Sequence, residues 1–340
     1  MSSERDFLRR LQSMARRRCP DLQIGIGDDA ALITPRPGRQ LVVMSDALVE
    51  DIHFRRRYVP AAAIGHKALA VNLSDCAAMG ATPRFCLLSL ALPPSAQPLA
   101  EDIIQGLLAL ADRAQVSLVG GDTTSSPQSI FVDVCLIGDI APDCAVTRAG
   151  ARPGDCLFVS GNLGAAAAAL QALEREIAPP DAASEARFLF PEPRLELGQY
   201  LAAHGLATAM LDISDGLSLD LARLCEASQV GAILEAEALP IAPAAVAITS
   251  DQAAARQLAL DGGEDYELLF TVSPQQAATV AALSGAAIVG GVTLTCIGRI
   301  TAGRDITLRV DGTIYPLPAR GYDHFAGPGG SNTGSATTCA

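Results

Sequence analysis

Residues 209–221 read AMLDISDGLSLDL: an apolar run reaches Asp212, breaks at Ser214, Asp215 and Gly216, and resumes with hydrophobic residues at a different spacing. The first half reads as a buried strand and the second as a helix that begins just past the glycine. A strand handing over to a helix in this way is a unit of α/β architecture. Asp212 and Asp215 stand three residues apart, so both carboxylates face one side where the chain turns. Acids at the end of a buried strand need a positive partner.

The chain has 340 residues, enough for about two domains that each bury a core. With 49% apolar and 18% charged residues it has the composition of a folded protein. Its net charge of −12 argues against nucleic acid as a main partner, since a phosphate backbone needs a basic face. The opening MSSERDFLRRLQSMARRR lacks the apolar segment of a secretory signal, so a cytoplasmic location is expected. None of the nine cysteines forms C-x-x-C, which leaves reduced and mostly inert thiols. Residues 271–298 are uncharged over a length that spans a bilayer, but Pro274, two glutamines, Gly285, Gly290 and Gly291 interrupt them. Helix, turn and strand fit that stretch better than a membrane span.

An amphipathic helix is expected over 4–15, with Phe7, Leu8, Leu11 and Met14 on one face. Strands are expected at 30–34 and 41–45, followed by a helix from Ala61 to Met79 that Gly80 and Pro83 close. Further strands fit 85–92, 116–120 and 130–138, with a crossover helix around 99–114 and GGDTTSS as the turn between the last two strands. The segment APDCAVTRAGARPGD, 141–155, has the proline and glycine content of a domain connection. Domains are therefore expected over 1–145 and 146–325, with a flexible tail at 326–340. SGNLG at 160–164 is open to two readings, a phosphate nest at a helix start or a structural turn. In PEPRLELGQYLAAHG, proline precedes a helix that Gly205 ends.

Much phosphate chemistry is excluded. Lys67 is the single lysine among 25 basic residues; it follows His66 in a helical pattern, so no Walker A Gly-Lys-Ser/Thr exists. Protein-kinase signatures are missing as well. GIGDDA at 25–30 is no dinucleotide fingerprint, because Ala30 takes the sixth position and two carboxylates would repel a pyrophosphate. What recurs instead is aspartate where predicted elements meet turns: Asp28, Asp29, Asp46, Asp75, Asp122, Asp212 and Asp215. Each of these except Asp75 suits a turn or a helix cap. Asp75 does not, because it lies inside the predicted helix three residues after Asn72. Converging carboxylates about 4 Å apart repel by roughly 1 kcal/mol even in water, so a cation must sit among them. With four histidines and no cysteine pair the donors are oxygens, which points to Mg²⁺ shared with substrate phosphates.

In order along the chain, GIGDDAALI, SDALVEDIHF, HKALAVNLSDCAAMGATP, VGGDTTSS, TRAGARPGD, LDISDGLSLDL, GGEDYELLF and GYDHF resemble the motifs of the thiamine-monophosphate kinase family, over about residues 22–325. That family belongs to the superfamily of aminoimidazole ribonucleotide synthetase. The resemblance implies an α/β (α+β) subunit with mixed sheets and flanking helices. It implies an N-terminal ATP- and Mg²⁺-binding, dimerising domain and a C-terminal α/β domain that completes the site. It also implies a homodimer that uses ATP and several Mg²⁺ ions to convert thiamine monophosphate to the diphosphate. Asp29, Ser45, Asp46, Asp75, Asp122, Asp212 and Asp215 match metal positions, among which Asp75, Asp122, Asp212 and Asp215 are the expected catalytic set. Gly121, Asp122, Arg148 and Ser214 match ATP positions, and His53, Glu264 and Tyr322 match positions at the thiamine phosphate.

Elementary chemistry is compatible with these roles. Phosphoryl transfer needs positioning and charge neutralisation more than covalent help. An acceptor phosphate with a second pKa near 6 is already largely ionised at neutral pH, so no general base is required. Arg148 suits bidentate phosphate contact, or is a solvated linker arginine. Glu264, after two glycines, faces a cationic ligand or is a turn acid; Tyr322 stacks on a ring or anchors the chain end. His53, between Ile52 and Phe54, contacts substrate or is satisfied by backbone. Two positions depart from the family pattern. Asp51 stands where glycine is common, beside the arginines 55–57. Cys339 is penultimate, and a superfamily relative in hydrogenase maturation carries a working C-terminal cysteine. The competing functions are therefore another ATP-dependent enzyme acting through Cys339, and a nucleotide- and metal-binding sensor without turnover.

Overall fold

The computed structural model describes residues 4–15 and 19–322, and only the backbone of 4–8. The side chains of Phe7 and Leu8, the tail 326–340 and Cys339 lie outside the described residues. Helix α1 (Glu4–Met14) precedes a small hairpin of β1 (Leu22–Ile24) and β2 (Leu32–Ile33). Then come β3 (Gln40–Val49), α2 (Ala61–Ala78), β4 (Thr82–Leu92), α3 (Ala100–Arg113), β5 (Ser117–Ser125) and β6 (Phe131–Ile140). These four longer strands form one sheet in the order β3-β6-β4-β5, antiparallel except for the β4–β5 pair that α3 connects.

Residues 141–155 carry neither helix nor strand. The second half contributes β7 (Cys156–Ser160), α4 (Ala165–Glu174), α5 (Ala182–Leu189), α6 (Leu195–Ala203), β8 (Ala207–Ile213), α7 (Leu217–Ser228) and β9 (Gly231–Glu235). It continues with α8 (Pro243–Thr249), α9 (Gln252–Asp261), β10 (Glu267–Val272), α10 (Ala277–Ala281), β11 (Leu294–Thr301), β12 (Ile306–Val310) and β13 (Thr313–Pro316). Its strands build a seven-stranded mixed sheet, β13-β12-β9-β11-β7-β10-β8, in which only β9 and β12 run parallel.

Both faces of this sheet are buried, and strand alternation decides where the acids go. Leu211 and Ile213 of β8 join one core with Leu217 and Leu221 of α7. Met210 joins the opposite core, which includes Ala77 and Ala78 of α2. Asp212 shares that second face, and its Oδ2 accepts a 2.7 Å hydrogen bond from Ser74 Oγ of α2. The buried strand thus ends in an acid on the side turned toward the other domain.

Helix α2 is enclosed on every side, with fifteen of its eighteen residues buried. Close approach requires glycine at its crossings. A Cβ on Gly65 would lie 1.7 Å from the carbonyl oxygen of Ile103 in α3, and one on Gly106 of α3 would lie 1.9 Å from that of Ala62. On the other flank, a Cβ on Gly198 of α6 would lie 2.0 Å from the carbonyl oxygen of Ala77. The same helix therefore packs backbone to backbone against both halves of the chain.

Two expectations need correction. GGDTTSS is not a turn: Gly120–Ser125 extends β5 and pairs residue by residue with Leu87–Leu92. Gly121 belongs there because its φ is +147° and a Cβ would meet the Leu88 carbonyl oxygen at 1.8 Å, while Thr123 and Thr124 favour the extended chain. Likewise β3 continues to Val49, so Asp46 lies within a strand rather than after one. Gly106→Val should lower stability by about 3 kcal/mol in denaturant titration, since backbone contacts cannot relax as side chains do. An unchanged midpoint would show that α2 and α3 separate freely.

Candidate active site

A cleft of about 700 Å³ opens between the two halves of the chain. Asp46 from β3, Asp75 from α2, Asp212 from β8 and Asp215 from the turn before α7 all line it. Burial raises the Asp46 carboxyl above its ordinary value, with Asp133 and Asp215 adding to the shift. Burial first, then Asp212 and Asp46, push Asp75 up to about 8. Asp212 is pushed up to about 6 by burial, partly offset by the Ser74 hydroxyl. Asp46 and Asp75 thus influence each other's titration across the cleft wall, and burial with like charge disfavours full ionisation of the group.

Among the described residues, no three His, Cys, Asp or Glu side chains converge tightly enough to enclose a metal ion. The carboxylates line an open wall instead. That arrangement fits Mg²⁺, which takes one or two carboxylates and completes its octahedron with water and phosphate oxygens, better than it fits a cation held in an all-protein cage.

The turn that presents Ser214 and Asp215 is built by a residue the sequence did not single out. Asp220 Oδ2 accepts hydrogen bonds from the backbone N–H groups of Ser214, Asp215 and Gly216 at 3.1, 3.0 and 3.2 Å. Arg223 Nη1 bridges Asp220 Oδ1 at 2.6 Å and Asp215 Oδ2 at 2.7 Å. Residues 263–266 pack on the same turn: Glu264 N–H donates to the Ser214 carbonyl at 2.7 Å and Tyr266 N–H to the Ile213 carbonyl at 2.8 Å. Glu264 holds a left-handed φ of +68° there.

His53, Glu264 and Tyr322 share the cleft with Arg148 and Ser214. His53 Nδ1 accepts the Val49 N–H at 3.0 Å, which puts the proton of the neutral ring on Nε2. Asp51 has φ +69°, which explains why glycine suits that position; aspartate is among the few side chains that tolerate it. At the rim, Arg55 Nη1 meets Glu174 Oε1 of α4 at 2.5 Å. SGNLG proves structural, because the carboxylate of Asp265 already accepts the Gly164 N–H at 2.8 and 3.1 Å at the head of α4.

Other expected residues lie elsewhere. Asp29 is exposed on the loop after β1. Ser45 is adjacent to Asp46 in a strand and so points to the opposite face, where its hydroxyl donates to Asp133 Oδ1 at 2.9 Å. Asp122 pairs across β5 and β4 with Ser89, which pairs in turn with Asp133, so these three form a row on the open face of the four-stranded sheet. Gly121 and Asp122 are exposed and do not line the cleft. Asp133 escaped the sequence reading because an acid in an alternating strand resembles an ordinary solvent-facing residue.

Asp75 sits above its unfolded value, so the metal-free fold binds more protons than the unfolded chain, and stability falls as pH rises from the carboxylate range to about 8. Mg²⁺ should accordingly raise the melting temperature more at about pH 8 than at about pH 6, and Asp75→Asn should flatten both dependences. Differential scanning fluorimetry with and without chelator reads this; equal Mg²⁺ shifts at both pH values would remove Asp75 from the candidate metal ligands.

Residues 27–140 match the family described as AIR synthase related protein, N-terminal domain, and residues 152–311 match AIR synthase related protein, C-terminal domain. Thiamine-monophosphate kinase from Escherichia coli strain K12 is 39% identical over 313 residues, covering 91% of this chain and 94% of that protein. The Bacillus subtilis strain 168 protein of that name is 37% identical, covering 89% and 94%. Among solved structures, thiamine-monophosphate kinase from Stenotrophomonas maltophilia superposes with a TM-score of 0.81 at 39% identity, covering 91% of this chain and 97% of that one. A structure described as AaThiL complexed with AMPPCP and TMP gives 0.74 at 30% identity, covering 95% and 97%. Escherichia coli HypE, a hydrogenase maturation protein, at 21% identity and TM-score 0.75, shares the fold alone. With two AIR synthase type domains and relatives aligned along nine-tenths of its length, the chain belongs to the thiamine-monophosphate kinase family.

Proposed function

We propose that the protein transfers the γ-phosphoryl group of ATP to thiamine monophosphate, forming thiamine diphosphate by direct in-line displacement assisted by Mg²⁺. The observation that carries the reading is the placement of Asp46, Asp75 and Asp212, from both halves of the chain, along the wall of one cleft. Such a wall attracts divalent ions, and Mg²⁺ bound there supplies charge neutralisation on the phosphate oxygens. Asp29, Ser45, Asp122 and Asp215 are the further metal candidates.

The remaining groups orient two anions. Arg148 offers a guanidinium and Ser214 a hydroxyl beside the carboxylates, as nucleotide contacts suggested by the family; Gly121 and Asp122, which the family also suggests, lie outside this cleft on β5. His53 presents Nε2–H while its other nitrogen is held by backbone, so it donates to a phosphate oxygen without having to be charged. Glu264 pairs with the cationic part of thiamine, and Tyr322 offers a ring for stacking. The acceptor phosphate is its own nucleophile, which accords with a cleft that needs no general base.

Assembly as a homodimer is part of the proposal. Leu41 and Val43 of β3 are 58% and 62% exposed, and Phe131 of β6 shares their face of the sheet. A second copy covering that face would bury them. A Leu41→Lys, Val43→Lys double variant should run as a monomer in light scattering; an unchanged mass would place any dimer interface elsewhere.

Chromatographic product analysis tests the reaction: ATP, Mg²⁺ and thiamine monophosphate should give equimolar thiamine diphosphate and ADP, with neither formed from thiamine or without metal. Asp212→Asn should lower the rate by about 10²-fold or more while the metal-free melting temperature holds or rises, because a strained buried carboxyl becomes a neutral amide. Nucleotide binding without any turnover would instead support the sensor reading.

A further inference from the structure

We propose that Lys67, which does not line the cleft, is a positioning residue: its ammonium fixes the Glu264 carboxylate at the acceptor end, so affinity for thiamine monophosphate depends on it and affinity for ATP does not. The inference rests on the reading of Glu264 as an acceptor contact.

Lys67 is the chain's single lysine, and it is 1% exposed in the middle of α2. Its Nζ lies 2.9 Å from Glu264 Oε2 and 4.0 Å from the centroid of the Phe188 ring. A buried ammonium requires a counter-charge, and this one finds it in the other half of the chain. Twenty-four of the twenty-five basic residues are arginine, so the exception is informative. A guanidinium carries five donors in a wide plane, whereas an ammonium is compact enough for a packed helix interior that offers one carboxylate and one ring face.

Glu264 is equally constrained. Gly262 and Gly263 precede it, yet the left-handed φ of +68° falls on the glutamate. A side chain held in that backbone region persists only where its surroundings determine it, here the Ser214 carbonyl on its N–H and Lys67 on its carboxylate. Among the described residues only Oε2 is engaged, and the side chain stays 22% exposed toward the cleft. One oxygen is thus clamped from behind while the carboxylate still faces a ligand. The pairing also spans the junction, because Lys67 belongs to α2 and Glu264 to the segment that packs on the 214–216 turn.

Steady-state kinetics with each substrate varied separately test this for the wild type, Lys67→Met, Glu264→Gln and the double variant. Each single change should raise the KM for thiamine monophosphate about tenfold or more with the KM for ATP within about twofold, and the double variant should equal Glu264→Gln alone. The melting temperature should fall most in Glu264→Gln, which strands the buried ammonium, and recover in the double variant. If Lys67→Met fails to fold, equality of the double variant with Glu264→Gln still decides. An unchanged acceptor KM in Lys67→Met, equal losses for both substrates, or effects that multiply in the double variant would overturn the inference. If Glu264→Gln itself leaves the acceptor KM unchanged, the reading of Glu264 fails first and takes the inference with it.

Discussion

The structure depends on one helix that has no solvent face. In most two-domain chains a helix belongs to one core, but α2 is packed backbone to backbone against α3 on one flank and α6 on the other. Small residues make this possible, and polar residues make it useful: Lys67, Ser74 and Asp75 leave the same helix toward the second half of the chain. Lys67 and Asp75 are eight residues apart, about 12 Å of helix rise. The two ends of the cleft are therefore spaced by a rigid element rather than by loops.

Charge pairing elsewhere in the chain shows why the cleft stands out. Glu267, wholly buried, is met by Arg187 and Arg194; Asp139 by Arg39 and Arg84; Glu50 by Arg56; Asp220 by Arg223. The sequence supplies an arginine wherever these acids are enclosed. Asp46, Asp75 and Asp212 receive no such partner at contact distance among the described residues, and burial displaces their carboxyls upward. On the proposed reading, a fixed cation against those carboxylates would compete with the bound ion.

Much of this was legible in the sequence, for physical reasons. The two long helices of the first half were readable because their stop signals are strong, and Asp75 was conspicuous because an acid inside a helix has no local excuse. The strand-to-helix passage at Asp212 was visible as a change of period. What escaped depends on tertiary contact. Gly120, Gly121 and Asp122 carry turn chemistry in a segment that the neighbouring strand β4 holds extended. Asp220 looks like any helix acid until its three backbone hydrogen bonds are seen. Lys67 could be recognised as not belonging to a Walker loop, but its partner lies 197 residues away.

Burial of that one lysine also shapes the protein's covalent chemistry. The surface presents arginines, whose protonated guanidinium groups resist acylating agents and acetyl donors under ordinary conditions, and the single lysine amine is enclosed. Side-chain amine modification is thereby withheld from the folded protein as a whole. Any label that does appear on Lys67 reports a moment when α2 and the segment around Glu264 have parted, so the molecule carries a single-site chemical clock for its own opening.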